Sequence, residues 1–209
     1  MRKTVVVFVR HAETSSNAKG IWQGWTDTWL DSRGKRQARQ VAKRLRDFKF
    51  DAVYCSDLRR ALQTAEEIMK YHPRAKLTKL KALREKDFGV FEDYTTEELK
   101  TKKAGPYEKY SSVRNRITVR CPGGESWQDV FRRAAKAVRS ILKKHRGGKV
   151  LLVSHGGTIR LLLAWLLGRP LAENILFDHN NTGVSIVVVF SRGAELLLFN
   201  DTSHARAPF

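Results

Sequence analysis

Thr4-Val5-Val6-Val7-Phe8-Val9-Arg10-His11-Ala12-Glu13-Thr14 decides how this chain folds. Thr4–Val9 is an unbroken β-branched and aromatic run, the composition of a strand buried on both faces, and it empties directly into an ionisable cluster. The same arrangement recurs three times along the chain. Ala52–Cys55 runs into Ser56-Asp57-Leu58-Arg59-Arg60, and Lys76–Leu80 is followed by Arg84-Glu85-Lys86-Asp87. Val150–Ser154 ends in Ser154-His155-Gly156-Gly157. Amphipathic helical patterns lie between these strands, at 34–48, 58–70, 125–145 and 158–167, with Pro73 stopping the second and Gly168 and Pro170 closing the last. Alternation of strand and helix implies an α/β fold: a three-layer α/β/α sandwich on a mostly parallel central sheet. Residues 1–209 are expected to form one domain. The irregular stretch at about 86–121, with a helix at Thr96–Lys102 and a break at Gly105–Pro106, reads as a small lid insertion.

Val184–Phe190 and Glu195–Phe199, joined by Ser191-Arg192-Gly193-Ala194, read as a terminal hairpin. Its outer edge either covers its own sheet or pairs with a second copy in a homodimer. At 209 residues, 42% hydrophobic and 29% charged, the chain has the composition of a globular protein and not of a disordered or fibrous one. Leu161–Leu167 is the longest apolar stretch of the C-terminal half and falls far short of the ~20 residues a bilayer span needs. Val5–Val9 is too short for a signal-peptide core. Cys55 and Cys121 make neither a disulfide framework nor a metal site. These readings point to a cytoplasmic protein with no membrane partner, no metal and no cofactor.

Charge is the one extreme property. Forty Lys and Arg against twenty-one Asp and Glu leave a net charge of +19. Such a field captures anions, and a nucleic-acid-binding protein is the reading it first suggests. The basic residues are nonetheless spread through the chain. In the first helix Lys35, Arg39, Lys43 and Arg46 share one face and Ala38, Val41, Leu45 and Phe48 the opposite one, the pattern of a solvated amphipathic helix. No nucleic-acid motif accompanies them.

In an open α/β sheet ligands bind beyond the carboxyl ends of the strands, where the polar clusters of this chain converge. Arginine's planar fork matches phosphate oxygens, a helix beginning at Gly156 adds backbone donors, and histidine serves as nucleophile or as acid and base. The set describes a phosphate site with its own nucleophile.

Arg10-His11-Ala12-Glu13-Thr14-Ser15-Ser16-Asn17, Ser56-Asp57-Leu58-Arg59-Arg60-Ala61, Leu83-Arg84-Glu85 with Phe88-Gly89, and Ser154-His155-Gly156-Gly157 together resemble the histidine phosphatase (phosphoglycerate mutase-like) superfamily. Gln23-Gly24, Asp27, Leu30, the run from Gly34 to Ala38, and Pro122–Ser126 add to the match, which extends over about residues 4–190 in the right order. The resemblance implies a covalent phosphohistidine mechanism in which His11 attacks phosphorus. Arg10, Arg60 and His155 would clamp the phosphoryl oxygens, with Asn17 and Gly156 as further donors and Gln23 and Gly24 as additional substrate contacts. Glu85, which has Asp87 and Glu92 as neighbouring carboxylates, would protonate the leaving alcohol and then activate water. No metal is implied, because the two arginines supply the charge stabilisation.

Phe88-Gly89-Val90-Phe91-Glu92-Asp93-Tyr94-Thr95 resembles the phosphatase branch, of the broad-specificity or α-ribazole-phosphatase type, more than the mutases. Two positions depart from the pattern: Ala12 and Asp93 each stand where glycine is usual. The expectation is a metal-independent phosphomonoesterase acting on a small phosphorylated metabolite, with phosphoglycerate mutase as the alternative and a nucleic-acid-binding protein on the same fold as the second. For specificity, Arg114, Arg116 and Arg120 with Lys102, Lys103 and Lys109 are candidates for a distal anion. Trp22, Trp25, Trp29, Tyr94 and Tyr107 are candidates for packing a ring or sugar.

Overall fold

A computed structural model describes residues 3–111 and 117–205. Six strands form one sheet: β1 (Thr4–Arg10), β2 (Ala52–Cys55), β3 (Lys76–Lys79), β4 (Lys149–Ser154), β5 (Val184–Val189) and β6 (Ala194–Asp201), in spatial order β3-β2-β4-β1-β5-β6. The strands β3, β2, β4 and β1 run parallel, with Val6 opposite Val150 and Arg10 opposite Ser154. β5 and β6 pair antiparallel as the expected terminal hairpin, and β5 docks antiparallel on β1. The sheet is therefore mixed and mostly parallel, and β6 lies at its edge.

Among the described residues seven α-helices accompany it: α1 (Ser15–Ala18), α2 (Ser32–Leu45), α3 (Arg59–Met69), α4 (Thr96–Lys102), α5 (Ala104–Ser111), α6 (Trp127–Lys144) and α7 (Gly156–Leu166). The period-two alternation of β1 splits the core in two. Val7 and Val9 pack with Val41, Ala42 and Leu45 of α2 and with Ala61, Ala65 and Ile68 of α3. Val6 and Phe8 pack on the other face, with Ala134, Val138 and Ile141 of α6 and Ile159, Leu162 and Leu163 of α7. Helices thus cover both faces, as the sequence pattern requires.

The stretch from Gly89 to Pro122 builds a separate small cluster of Phe91, Leu99, Tyr107, Tyr110 and Cys121, against which Trp22, Phe88 and Tyr94 pack. Gly105 and Pro106 do not break this stretch as expected. They lie in the first turn of α5, where a backbone N–H has no helical partner and proline loses nothing. The two non-glycine departures are accommodated differently. Ala12 is wholly buried and packs with Leu30 and Ala38, so its methyl has a place. Asp93 has φ +66°, in the left-handed region that glycine enters freely and aspartate tolerates, and its N–H donates to the Trp22 carbonyl (2.9 Å). His72 is buried against the Phe50 ring (4.9 Å between ring centroids). His145 caps α6 and meets the Tyr54 hydroxyl at 2.8 Å.

Candidate active site

β1 ends between β4 and β5, so the residues after Arg10 are held from both sides. The His11 N–H donates to the Ser154 carbonyl (2.9 Å), Asn181 Nδ2 donates to the His11 carbonyl (2.9 Å), and the Thr182 N–H donates to the Arg10 carbonyl (3.1 Å). The His11 side chain is 3% exposed. Its Nδ1 lies 2.7 Å from the Ala12 carbonyl. A carbonyl only accepts, so Nδ1 carries the proton and Nε2 keeps its lone pair. Burial, then the nearby Arg60 and Arg10 charges, hold His11 well below the ordinary histidine pKa. It is a neutral imidazole with a fixed tautomer.

Arg60, on the first turn of α3, is 1% exposed. Its Nη1 donates to the Thr26 carbonyl (2.8 Å) and its Nη2 to the Gly24 carbonyl (2.7 Å), and burial pushes its pKa down to about 10, still a full cation at neutral pH. Arg10 is tied through Nη1 to the His179 carbonyl. His179 is itself a buried residue of the loop before β5, its ring nitrogens engaged by the Phe177 carbonyl and the Ser185 hydroxyl. The His155 ring stands 5.0 Å from that of His11, and His155 too is held well below its ordinary pKa, by burial and then by the Arg60 charge. Arg10 Nε, Arg60 Nε and both ring nitrogens of His155 are buried without a hydrogen-bond partner. Buried polar atoms are normally paired, so four orphaned nitrogens around His11 outline the place of a ligand rich in acceptor oxygens.

A chamber of about 180 Å³ is lined by Arg10, His11, Asn17, Gln23, Gly24, Arg60 and Glu85. It shares Arg10, Trp22, Glu85 and Phe88 with an outer cavity of about 970 Å³. Asn17 Oδ1 caps the start of α1 by accepting from the Thr14 N–H (3.2 Å), and Gln23 Oε1 accepts from the Thr14 and Thr28 hydroxyls (3.0 and 2.5 Å). Both amides therefore have their NH₂ groups left for the chamber. Gly24 is spent on holding Arg60 through its carbonyl. His155 lines neither cavity and meets the site only through its orphaned ring.

Glu85 stands where the two cavities join. Its Oε1 accepts from the Lys86 N–H and its Oε2 from the Gly157 N–H, both at 2.9 Å. The rival carboxylates are occupied elsewhere: Asp87 accepts from the Gly89 N–H, and Glu92 from the N–H groups of Trp25, Thr26 and Phe88. Gly157 is required by close approach, since a Cβ there would lie 2.5 Å from Glu85 Oε1 and from the Trp127 ring.

Sequence reasoning did not single out Arg133 or Arg160. Arg133, on α6, donates to the carbonyls of Ala82, Arg84 and Glu85 and pairs with Glu125, which fastens the whole Glu85 segment. Arg160 is the one charge in the apolar helix α7 and lies one turn after Gly156, a spacing that would have placed it on the site face. The distal-anion expectation is not met by its described members. Arg120 pairs with Asp129, Lys102 pairs with Glu98, Lys103 stacks on Tyr94, and none of these lines either cavity, nor does Lys109. Arg114 and Arg116 lie outside the described residues. Of the aromatic candidates only Trp22 lines the two cavities, and Trp25 touches their edge by donating from Nε1 to the Glu85 carbonyl (2.9 Å). Trp25 and Trp29 are exposed and stack under Arg84 and Arg59, while Tyr94 and Tyr107 belong to the cluster behind Trp22. Among the described residues no group of three His, Cys, Asp or Glu side chains is placed to hold a metal ion, and no helix is long and apolar enough to cross a membrane.

Fold and site together define an α/β protein built around a buried histidine between two arginines at the carboxyl edge of its sheet. Residues 6–202 match the model of the histidine phosphatase superfamily (branch 1), and the chain belongs to that family. It is 36% identical to phosphoglycerate mutase-like protein 4 of Arabidopsis thaliana over 95% of this chain and 86% of that protein. It is 32% identical to the metal-independent phosphoserine phosphatase of the same plant, over 96% and 83% of the two chains. Among solved structures it superposes on the α-ribazole phosphatase from Shigella flexneri with a TM-score of 0.87 at 27% identity, covering 94% of this chain and 96% of that one.

Proposed function

We propose that the protein is a phosphomonoesterase working through a phosphohistidine on His11, without a metal. The observation that carries this reading is the set of four orphaned nitrogens around a neutral, tautomer-locked His11. A phosphate monoester places its phosphoryl group in the inner chamber, where its oxygens meet Arg10, Arg60, Asn17 and the His155 ring. His11 Nε2 attacks phosphorus as the ester P–O bond breaks, and Glu85, at the junction of the cavities, gives its proton to the departing alkoxide in the outer cavity. The carboxylate then takes a proton from a water that attacks phosphorus, the P–N bond breaks onto Nε2, and inorganic phosphate leaves. Transfer of a phosphoryl group is chiefly a matter of in-line positioning and charge stabilisation, and the two guanidiniums are fixed before substrate arrives, so little reorganisation is needed. The wide outer cavity suits release of a small alcohol and entry of water. A mutase must instead hold its intermediate and return the phosphoryl group.

The test is phosphate release from phenyl phosphate and a panel of phosphomonoesters in excess chelator, with wild type compared with His11→Ala. Turnover that persists in chelator and vanishes in the variant is expected. Phosphoryl exchange between phosphoglycerates, with no release to water, would replace this reading with a mutase. Silence on every ester would remove both.

A further inference from the structure

A second concentration of unpaired charge lies away from the active site, along α2 and around the opposite edge of the sheet. Residues 46–50 lead into β2 and residues 71–75 into β3, at the amino ends of parallel strands, whereas His11 and His155 follow the carboxyl ends of β1 and β4. Two grooves meet there at Tyr71. One, of about 350 Å³, is lined by Arg36, Arg39, Gln40 and Lys43 of α2. The other, of about 550 Å³, is lined by Arg46, Lys49 and Arg74 together with the stacked Phe48 and Phe50 rings. Tyr71 lines both and is 48% exposed. Its backbone is fixed, because its N–H donates to the Ile68 carbonyl (3.1 Å), and that of His72, whose ring is buried on Phe50, to the Met69 carbonyl (2.9 Å).

Counter-charge is missing from this face. Arg33, Arg44 and Arg59 pair with Glu13, Asp201 and Asp27. Arg36, Arg39, Lys43, Lys49 and Arg74 are all exposed and make no ion pair among the described residues. Asp47, the one carboxylate lining either groove, is taken by Arg46. Like charges crowded in this way repel one another, and their field draws a polyanion. We propose that this face binds single-stranded nucleic acid, with phosphates along the two basic rows and a base stacked on Tyr71. A cationic groove that tracks the backbone, joined to an aromatic ring for the bases, is what sequence-independent binding of a single strand requires. A base already stacked in a duplex does not reach the ring. An anionic membrane fits less well, since the exposed residues of α2 are all polar and offer nothing to insert. The inference stands apart from the phosphatase reading and uses none of its residues.

The probe is a fluorescein-labelled uridine oligomer of about 12 nucleotides with hydroxyl ends, which presents no phosphomonoester to His11, and binding is read by anisotropy. A dissociation constant on the order of micromolar is expected at about 100 mM salt, rising with a log–log slope of about 3.5, the value for about five phosphate contacts on a single strand. Tyr71→Ala is expected to weaken binding about tenfold at unchanged slope, and Tyr71→Phe to bind as wild type does. Arg39→Gln with Lys43→Gln is expected to lower the slope by about 1.4. Lys136→Gln with Lys143→Gln removes the same charge from α6, on the other face of the sheet, and is expected to leave the slope as it is. No binding at low salt, equal losses from the two charge pairs, or full affinity in Tyr71→Ala overturns the proposal. A duplex of the same length bound as tightly overturns the choice of a single strand, and polyglutamate bound as tightly overturns the choice of nucleic acid.

Discussion

Single atoms set the limits of this site. Gly157 leaves no room for a methyl between the Glu85 carboxylate and the Trp127 ring, so Gly157→Ala must displace one or the other. Overpacking of this kind costs about 1–3 kcal/mol, and a shift of about 1 Å in an acid–base group costs about 100-fold in rate. The variant is expected to remain folded while kcat on phenyl phosphate falls about 100-fold. A kcat within twofold of wild type would show that Glu85 is not positioned by this contact. His11, Arg10, Arg60, Glu85 and His155 were legible in the sequence because each sits just beyond a strand run, where order along the chain becomes proximity at one sheet edge. Arg160 was not singled out: its place one turn after Gly156 puts it on the site face, but a lone charge in an apolar helix carries no motif of its own. His179 sits in a loop and holds Arg10 through its backbone, a contact without a sequence signature.

At the scale of elements, the strands and helices were legible from periodicity, and their ends differ by a few residues. Helix α7 begins at Gly156 and not at 158 because the cluster that ends β4 is itself the first turn. The start of α5 was misread because proline has two meanings, a stop inside a helix and a good fit in its first turn. Arg133 ties α6 to the backbone of the Glu85 segment. Arg133→Met removes hydrogen bonds to three carbonyls and leaves Glu125 without its cationic partner. A cost of about 3 kcal/mol is expected, together with a fall in kcat larger than any rise in KM, because the loosened segment carries Glu85, the proposed proton donor. Denaturant melts and steady-state kinetics on one aryl ester check both. A loss of stability with unchanged kcat would confine Arg133 to a role in folding.

At the scale of the whole molecule, all six histidines lie below their ordinary pKa, each chiefly through burial, and His11 and His155 the most. Below about pH 6.5 the unfolded chain takes up protons that these folded groups refuse, so ν of the unfolded state exceeds ν of the native state and stability rises with pH there. Their contribution is fully present above pH 6.5 and is lost on acidification. For His11 and His155 together the slope is about 2.7 kcal/mol per pH unit once the unfolded imidazoles are charged. Unfolding free energies measured from pH 7 to 5 should show that decline, and a flat profile would mean that the two rings charge inside the fold.

The position of β1 bears also on how the protein is made. The strand that ends just before His11 is synthesised early, yet its two neighbours in the sheet begin only at Lys149 and Val184. A ribosome adds roughly 5–20 residues per second, so this apolar strand waits several seconds unpaired. The His11 carbonyl finds Asn181 only after that wait. A chain interrupted anywhere before the last two strands holds its histidine and arginines without the frame that aligns them. The aligned site thus arrives late in translation, and a truncated product is a problem of aggregation.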